Sequence, residues 1–154
     1  MGSTRDQFPS LSALLRKGLG DALRAGAETL LDMVTDDISF EFPFALPDGI
    51  EVIDGKAALA AYLPKVGKLF TIEALILDRA IISRDGRAGV LEFRSNAYAN
   101  ADGARYDQTY VSVVDLRDGL ISRYRDYWNP LVVLSATGGS DAANAVLKGP
   151  GPDA

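Results

Sequence analysis

Hydrophobic side chains recur every three or four positions along the first third of the chain, which is the period of an amphipathic helix. The start of a helix is indicated by Pro9 and Ser10, directly before this pattern. The apolar positions that define the period are Leu11, Leu14, Leu15, Leu19, Leu23, Leu30, Leu31 and Val34. Interspersed glycines weaken a continuous helix, so we predict two helices with a break near Ala25 to Ala27.

The segment DISFEF at 37–42 alternates between polar and apolar residues and predicts a short strand. Pro43 cannot donate to a neighbouring strand, so we expect this strand at an edge of the sheet. Alternation places three aromatic residues on one face of it, namely Phe40, Phe42 and Phe44. The next segment, GKAALAAYL, predicts a helix with Asp54 as its N-cap that ends near Pro64.

From Phe70 onward, alternating segments are separated by three Asp-Gly pairs, a strong signal for hairpin turns. We predict a four-stranded antiparallel meander with strands at about 70–83, 88–100, 105–116 and 120–128. Helices followed by an antiparallel sheet indicate the α+β class. A last apolar segment, LVVLSA after Pro130, predicts a helical turn. We therefore predict one α+β domain over 1–137 and a mobile tail over 138–154, which has little to bury.

An acid lies among aromatic residues on the last predicted strand, in the segment YRDYWNPL. Alternation groups Leu120, Ser122, Tyr124, Asp126 and Trp128 on one face. The opposite face carries two arginines and is the wetter one, with Ile121, Arg123, Arg125 and Tyr127. Antiparallel sheets commonly cover one face with helices, so Asp126 is predicted to be enclosed.

An enclosed carboxyl group loses its hydration and needs either a hydrogen-bond partner or a raised pKa. One interpretation makes Asp126 a structural carboxylate bonded to a tyrosine hydroxyl or a backbone N–H. The other makes it a proton donor or acceptor, because a raised pKa suits proton transfer near neutrality. The sequence of these residues does not decide between the two interpretations of Asp126.

Composition narrows the chemistry further. The chain contains neither histidine nor cysteine, so acid/base work must come from other side chains, and neither a thiolate nor a metal site is expected. The net charge of -5 without a basic cluster argues against nucleic acid as a partner. No apolar run suits a membrane span or an export signal, and the lack of cysteine fits a reducing cytosol. We predict a cytoplasmic protein without membrane attachment.

Three segments resemble the SnoaL-like branch of the nuclear-transport-factor-2-like superfamily. They are DDISFEFPFA at 36–45, IDGKAALAAYL at 53–63 and RYDQTYVSVVDLRDGLISRYRDYWNPL at 105–131. The resemblance implies a cone-shaped α+β roll, in which N-terminal helices pack against a curved antiparallel sheet and enclose an apolar pocket. It also implies pairing of two chains through the outer face of the sheet.

The resemblance does not carry over most catalytic groups of two related enzymes. Where ketosteroid isomerase has an acid before a proline, this chain has Phe42, and Ser112 falls near the position of its second acid. Trp128 matches a pocket aromatic of that enzyme. Asp126 matches one acid of limonene epoxide hydrolase, but its other catalytic positions are occupied by Phe40, Phe42, Phe93 and Ser95.

The phenazine-biosynthesis A/B proteins give the closest local match, with Asp126 and Tyr62 where they carry a glutamate and a histidine. In the SnoaL polyketide cyclases a pocket aspartate serves as acid/base in an aldol closure, which suits one enclosed acid. We predict cofactor-independent isomerase, dehydratase or cyclase chemistry with Asp126 transferring the proton and Tyr62 orienting a small hydrophobic or polycyclic substrate. The predicted substrate-binding residues are Phe40, Phe42, Phe93, Ser95, Tyr110, Ser112, Tyr124 and Trp128.

Two other functions stay open at this point, a non-catalytic ligand carrier or sensor and a module that only assembles through its sheet. A homodimer is also predicted, because the outer face mixes Ile121 and Tyr127 with Arg123 and Arg125. Acidic groups on adjacent strands, Glu92 and Asp107, are expected to pair with these arginines across the interface.

Overall fold

The computed structural model describes residues 6–137, in which helices cover one face of a curved six-stranded sheet. The helices are α1 (Pro9–Leu19), α2 (Lys56–Leu69) and α3 (Pro130–Thr137). The strands are β1 (Val34–Glu41), β2 (Val52–Asp54), β3 (Phe70–Ile82), β4 (Ala88–Ala99), β5 (Thr109–Arg117) and β6 (Leu120–Trp128). The predicted α+β class is confirmed, whereas the predicted tail over 138–154 lies outside the described residues. None of these three helices is long and apolar enough to cross a lipid bilayer.

The sheet has the strand order β2-β1-β6-β5-β4-β3, so the predicted meander of β3 to β6 is confirmed. All three Asp-Gly turns adopt the left-handed backbone that favours glycine, with φ of 71° at Gly86, 73° at Gly103 and 80° at Gly119. The sheet is mixed rather than purely antiparallel, because β1 runs parallel to β6. Parallel strands are joined by a long connection and not by a tight turn. No turn motif in the sequence could therefore predict this pairing.

β1 is not an edge strand, contrary to the expectation from Pro43. It lies between β6 and the three-residue β2, with Phe40 facing Tyr124 on one side and Ile53 on the other. Pro43 follows the last residue of β1, Glu41, and so removes no hydrogen bond from this ladder. The proline marks the end of the strand instead of its exposure.

The predicted second N-terminal helix is absent from the described residues. Beyond α1 the chain forms only short 3-10 turns, at Gly20–Ala22 and Leu31–Met33. The guanidinium group of Arg16 donates to the carbonyl oxygens of Arg24 at 2.9 Å and Ala27 at 2.6 Å, which satisfies part of this irregular backbone. Of the apolar positions that the helical period predicted in this segment, Leu23 and Leu30 are buried in the core and Leu31 is half-buried. The period therefore identified buried side chains here without predicting the irregular backbone.

α2 also differs from its prediction at both ends. Asp54 is the last residue of β2, and Gly55 occupies the N-cap position with no side-chain cap. The helix continues through Pro64 to Leu69, because an internal proline removes one hydrogen bond without excluding the turns that follow. The side-chain amide of Asn100 donates to the carbonyl oxygens of Gly67 and Lys68 and stabilises the last turn.

The inner face of the sheet agrees with the alternation for β4, where Leu91, Phe93, Ser95 and Ala97 are buried. Ile121 was predicted to lie on the outer face and is instead fully buried. The β5–β6 register shifts between the Leu116–Ile121 and Asp115–Arg123 pairs, so one extra residue turns Ile121 inward. A bulge of this kind reverses the faces on one side of it, and alternation cannot reveal it.

Candidate active site

A cavity of about 100 Å³ lies between the helices and the inner face of the sheet. Eight of the ten residues singled out in the sequence line it, from β1 and the residue after it, α2, β4, β5 and β6. They are Phe40, Phe42, Tyr62, Phe93, Tyr110, Tyr124, Asp126 and Trp128. Apart from the Asp126 carboxyl group and the tyrosine hydroxyls, this set is aromatic, so the fold gathers the predicted side chains around one acid.

Asp126 projects from β6 and faces Ser112 across the β5–β6 ladder. Its Oδ1 atom is buried and accepts no hydrogen bond from any residue in 6–137. Burial raises the pKa of Asp126 to about 7, and the neighbouring Ser112 hydroxyl acts in the opposite direction. The enclosure predicted for this acid is therefore present, and both its protonated and ionised forms are populated near neutral pH.

Tyr62 reaches the cavity from α2, with its ring centroid 5.7 Å from that of Phe42. Burial, followed by the nearby charge of Asp126, raises the pKa of Tyr62 above its ordinary value. The phenol is consequently neutral at physiological pH and keeps a proton that it can donate.

The two predicted serines are buried but do not line the cavity. Ser112 Oγ lies 2.7 Å from the hydroxyl oxygen of Tyr124, whose ring stacks on Phe40 at 4.4 Å. Ser95 Oγ accepts a hydrogen bond from the backbone N–H of Gln108 at 3.1 Å. Both serines stand one layer behind the aromatic wall and contact the residues that form it.

Sequence reasoning missed Tyr106, which also lines the cavity. Its ring stacks on Phe70 with centroids 3.7 Å apart, and burial raises its pKa to about 12. The Gln108 side-chain amide lies 3.5 Å from the Tyr106 hydroxyl. The alternation that grouped Tyr110 with Gln108 reaches Tyr106 when it is extended by one step, so the signal was present.

The remaining lining is apolar and comes from elements whose facing could not be read from the sequence. α1 and the residue before it contribute to one side, α3 contributes Val133, and α2 and β3 supply the rest. These residues are Phe8, Leu11, Leu63, Val66, Phe70, Ile72, Leu75 and Val133. No lysine or arginine of the described range lines the cavity, so it offers no counter-ion to an anionic ligand.

A larger and more open cleft, of about 790 Å³, lies by the β3–β4 and β5–β6 turns. Charged side chains of both signs line this cleft. Arg24, for example, stabilises the β5–β6 turn by donating to the Asp118 carbonyl oxygen at 3.1 Å. Within 6–137 no group of three or more acidic side chains is arranged to hold a metal ion. The enclosed cavity around Asp126 is therefore the candidate site.

Two relatives of known sequence resemble the chain over most of its length. It is 34% identical to the uncharacterised protein YesE of Bacillus subtilis, over 88% of this chain and 92% of that protein. It is 32% identical to the uncharacterised PhzA/B-like protein PA3332 of Pseudomonas aeruginosa, over 71% of this chain and 77% of that protein. The second match agrees with the local similarity to the phenazine A/B proteins.

Solved structures share the fold. A proposed isomerase from Bacillus subtilis is 34% identical, with a TM-score of 0.70 over 88% of this chain and 98% of that one. A SnoaL-like protein from Jannaschia sp. CCS1, described as a candidate polyketide cyclase, matches at 16% identity and a TM-score of 0.62, over 88% and 96% of the two chains. Residues 20–124 match the SnoaL-like domain family. Because this match covers more than half of its residues, the chain belongs to the SnoaL-like family.

Proposed function

We propose that the protein is a cofactor-independent acid/base enzyme that moves a proton on a small, mostly apolar carbonyl compound. The observation that supports this most is Asp126, an ionisable carboxyl in an aromatic cavity with one oxygen that no described residue hydrogen-bonds. A pKa of about 7 lets the same group accept and return a proton at neutral pH.

The reaction begins with the ionised carboxylate of Asp126, which takes a proton from the carbon next to the substrate carbonyl. The electron pair of that C–H bond moves into an enolate, and Asp126 becomes neutral. In a substrate whose C=C double bond is conjugated with the enolate, return of the proton to the far carbon of that double bond shifts it and completes an isomerisation. Attack of the enolate carbon on a second carbonyl, with the proton returned to the new alkoxide, completes a cyclisation instead.

Tyr62 is proposed to donate a hydrogen bond to the enolate oxygen. Burial and the charge of Asp126 raise its pKa, so the phenol stays protonated while negative charge develops nearby. A donor held in an apolar cavity stabilises such charge more strongly than water does, because it does not need to reorient.

The size and charge of the cavity limit the substrate. Its volume of about 100 Å³ is smaller than the ~150 Å³ of an engineered apolar cavity that binds benzene. A single ring or a short branched compound fits this space better than a polycyclic one. A neutral compound is favoured over an anion, since no cation lines the cavity in the described range.

Hydrogen exchange of small ketones tests the proposal without knowledge of the natural substrate. Cyclohexanone and 2-cyclohexenone are incubated with the protein in D2O, and loss of the signal of the protons next to the carbonyl is followed by NMR. Wild type is expected to accelerate exchange above buffer, and Asp126→Asn, which keeps the shape and removes the base, is expected to lose this acceleration. Equal rates for the two proteins would contradict acid/base catalysis by Asp126.

A ligand carrier or sensor is the second candidate, favoured by the largely aromatic and aliphatic lining. Phe40, Phe42 and Phe93 can hold an apolar ligand but can neither orient water nor transfer a proton. Carriage predicts that wild type and Asp126→Asn bind the same ketones with similar affinity by calorimetry, and that neither accelerates exchange.

A further inference from the structure

Two hydroxyl groups beside Asp126 take no part in the reaction as proposed above. Ser112 is fully buried and is the residue opposite Asp126 in the β5–β6 ladder. Its Oγ lies 2.7 Å from the hydroxyl of Tyr124, and either oxygen can be the donor in that bond. Tyr124 is held in turn by its stacked contact with Phe40, with the rings 7° from parallel.

The hydroxyl groups of Ser112 and Tyr124 together carry one hydrogen more than the bond between them requires. Each hydroxyl carries one proton, and one proton suffices to join the two oxygens. When Tyr124 donates to Ser112, the Ser112 proton is free for a second acceptor. The nearest acidic group across the ladder is Asp126, whose Oδ1 is buried and accepts no bond from the described residues.

We propose that Ser112 and Tyr124 are positioning residues that form a switchable donor chain, from the Tyr124 hydroxyl to Ser112 Oγ to the ionised carboxylate of Asp126. This assignment rests on the proposed acid/base role of Asp126. While Asp126 is neutral, it carries no charge that attracts the hydroxyl hydrogen of Ser112. Ser112 can then donate to Tyr124 instead. Ionisation reverses the order, because a hydroxyl bond to a carboxylate is stronger than one between two neutral hydroxyls.

None of the other titratable groups around the carboxyl group donates a hydrogen bond to its buried Oδ1 within 6–137. Tyr62 from α2, Tyr106 before β5 and Tyr110 on β5 all face the cavity, and proximity to the charge of Asp126 is among the causes that raise the pKa of each. No lysine or arginine of the described range lines the cavity. Ser112, directly opposite Asp126 in the ladder, is the group whose hydroxyl opposes the effect of burial on the pKa of this acid.

The sequence suggested Ser112 and Tyr124 as substrate contacts, and the donor chain gives both residues a different role. Ser112 and Tyr124 would set how easily Asp126 ionises, and the substrate would meet the ring of Tyr124 without using its hydroxyl. Loss of either hydroxyl should then shift the pH midpoint at which Asp126 ionises.

The experiment is a titration of the Asp126 side-chain carboxyl carbon by ¹³C NMR in the ligand-free protein. Ser112→Ala should raise the midpoint by about one pH unit, because a hydrogen bond to a charged group is lost. Ser112→Thr retains the hydroxyl and should return the midpoint close to wild type. Tyr124→Phe keeps the stacked ring and should raise the midpoint by a smaller amount.

Ser95→Ala is the matched control, since Ser95 is also buried on the inner face but bonds to the backbone at Gln108. It should leave the Asp126 midpoint unchanged. An unchanged or lowered midpoint in Ser112→Ala, or an equal rise in Ser95→Ala, would overturn the proposal. If Ser112→Ala does not fold, the test rests on Tyr124→Phe. An unchanged Asp126 midpoint in Tyr124→Phe would then overturn the proposal.

The result separates this proposal from the proposed function. The donor chain is judged by the difference between wild type and Ser112→Ala, whatever the wild-type midpoint is. Acid/base catalysis is judged by ketone exchange in wild type against Asp126→Asn. A shifted midpoint without ketone exchange would retain the donor chain and remove the catalytic role.

Discussion

At the scale of single residues, Asp126 makes the stability of the folded chain depend on pH. Its pKa is about 7 in the folded state against 3.8 as the ordinary value, so ionisation costs more in the folded chain than in the unfolded one. The stability associated with its neutral form is fully present below about pH 4 and is lost as the pH rises through 7.

Asp126→Asn should remove this loss, because asparagine is neutral at every pH. Relative to wild type, the variant should gain free energy of unfolding progressively between pH 4 and pH 8, by at most about 4 kcal/mol. Urea unfolding at several pH values measures the difference. Asp78→Asn is the control, since Asp78 is exposed, pairs with Arg94 at 2.8 Å and has a lowered pKa, so it should show no such gain. A difference between Asp126→Asn and wild type that stays constant with pH would contradict the prediction.

At the scale of elements, α1 approaches the sheet most closely where it has a glycine. A Cβ atom on Gly18 would lie 2.5 Å from Cδ2 of Leu91, a fully buried residue of β4. The helix can therefore lie directly on the sheet only because this position lacks a side chain. In the sequence this glycine argued for a broken helix, whereas in the structure α1 is continuous there and the missing side chain allows close packing.

Gly18→Ala should destabilise the protein by about 1–3 kcal/mol through overpacking, although alanine is the better helix former. Gly67→Ala in α2 provides the opposite case, because nothing lies within 4 Å of the added carbon and the backbone is helical. That variant should be stabilised by roughly 0.5–1 kcal/mol. Thermal unfolding of both variants tests the pair, and stabilisation by Gly18→Ala would show that the helix can move away from the sheet.

At the scale of the whole molecule, the outer face of the sheet remains the predicted dimer contact. Val111 is 37% and Ile81 48% exposed on that face, an apolar surface among charged groups. Arg123 is already paired with Glu41 at 2.6 Å, and Asp107 with Arg105 at 2.6 Å. Because these two groups are paired within the chain, Arg125 with Glu92 is the expected cross-interface pair that neither ion pair involves.

Sedimentation at micromolar concentration should accordingly give twice the chain mass of 16.4 kDa. Val111→Glu, which places a charge in the apolar part of this face, should yield monomers. Leu131→Glu is the control, because Leu131 is 68% exposed on α3, away from the outer face. A wild-type mass of one chain would refute the dimer, and dissociation by both variants would refute this face as its interface.

Local signals predicted the parts of this fold that are local. The hairpins of β3 to β6 follow from Asp-Gly turns, and alternation correctly turned Tyr124, Asp126 and Trp128 toward the cavity. The errors of prediction share a cause, because each concerns a feature that depends on the tertiary contacts of a segment. Pro64 is tolerated within α2, and Ile121 faces inward because of one extra residue in β6.

The candidate site divides in the same way. Residue types identified the acid and most of its aromatic neighbours, because strands present every second side chain to one face. The volume of the cavity, the position of Ser112 behind its wall and the contribution of Val133 depend on how five or more elements pack together. Such distances have no counterpart in the spacing of residues along the chain.

The parallel pairing of β1 with β6 has a consequence for the order of folding. Glu41 and Arg123 form their ion pair across a separation of 82 positions, so closing this loop carries a larger entropy cost than forming any hairpin of the meander. Docking of β1 brings Phe40 against Tyr124 and completes the wall next to Asp126. We therefore expect the cavity to form after the meander, and a ligand in it to prolong the lifetime of the native state without hastening its formation.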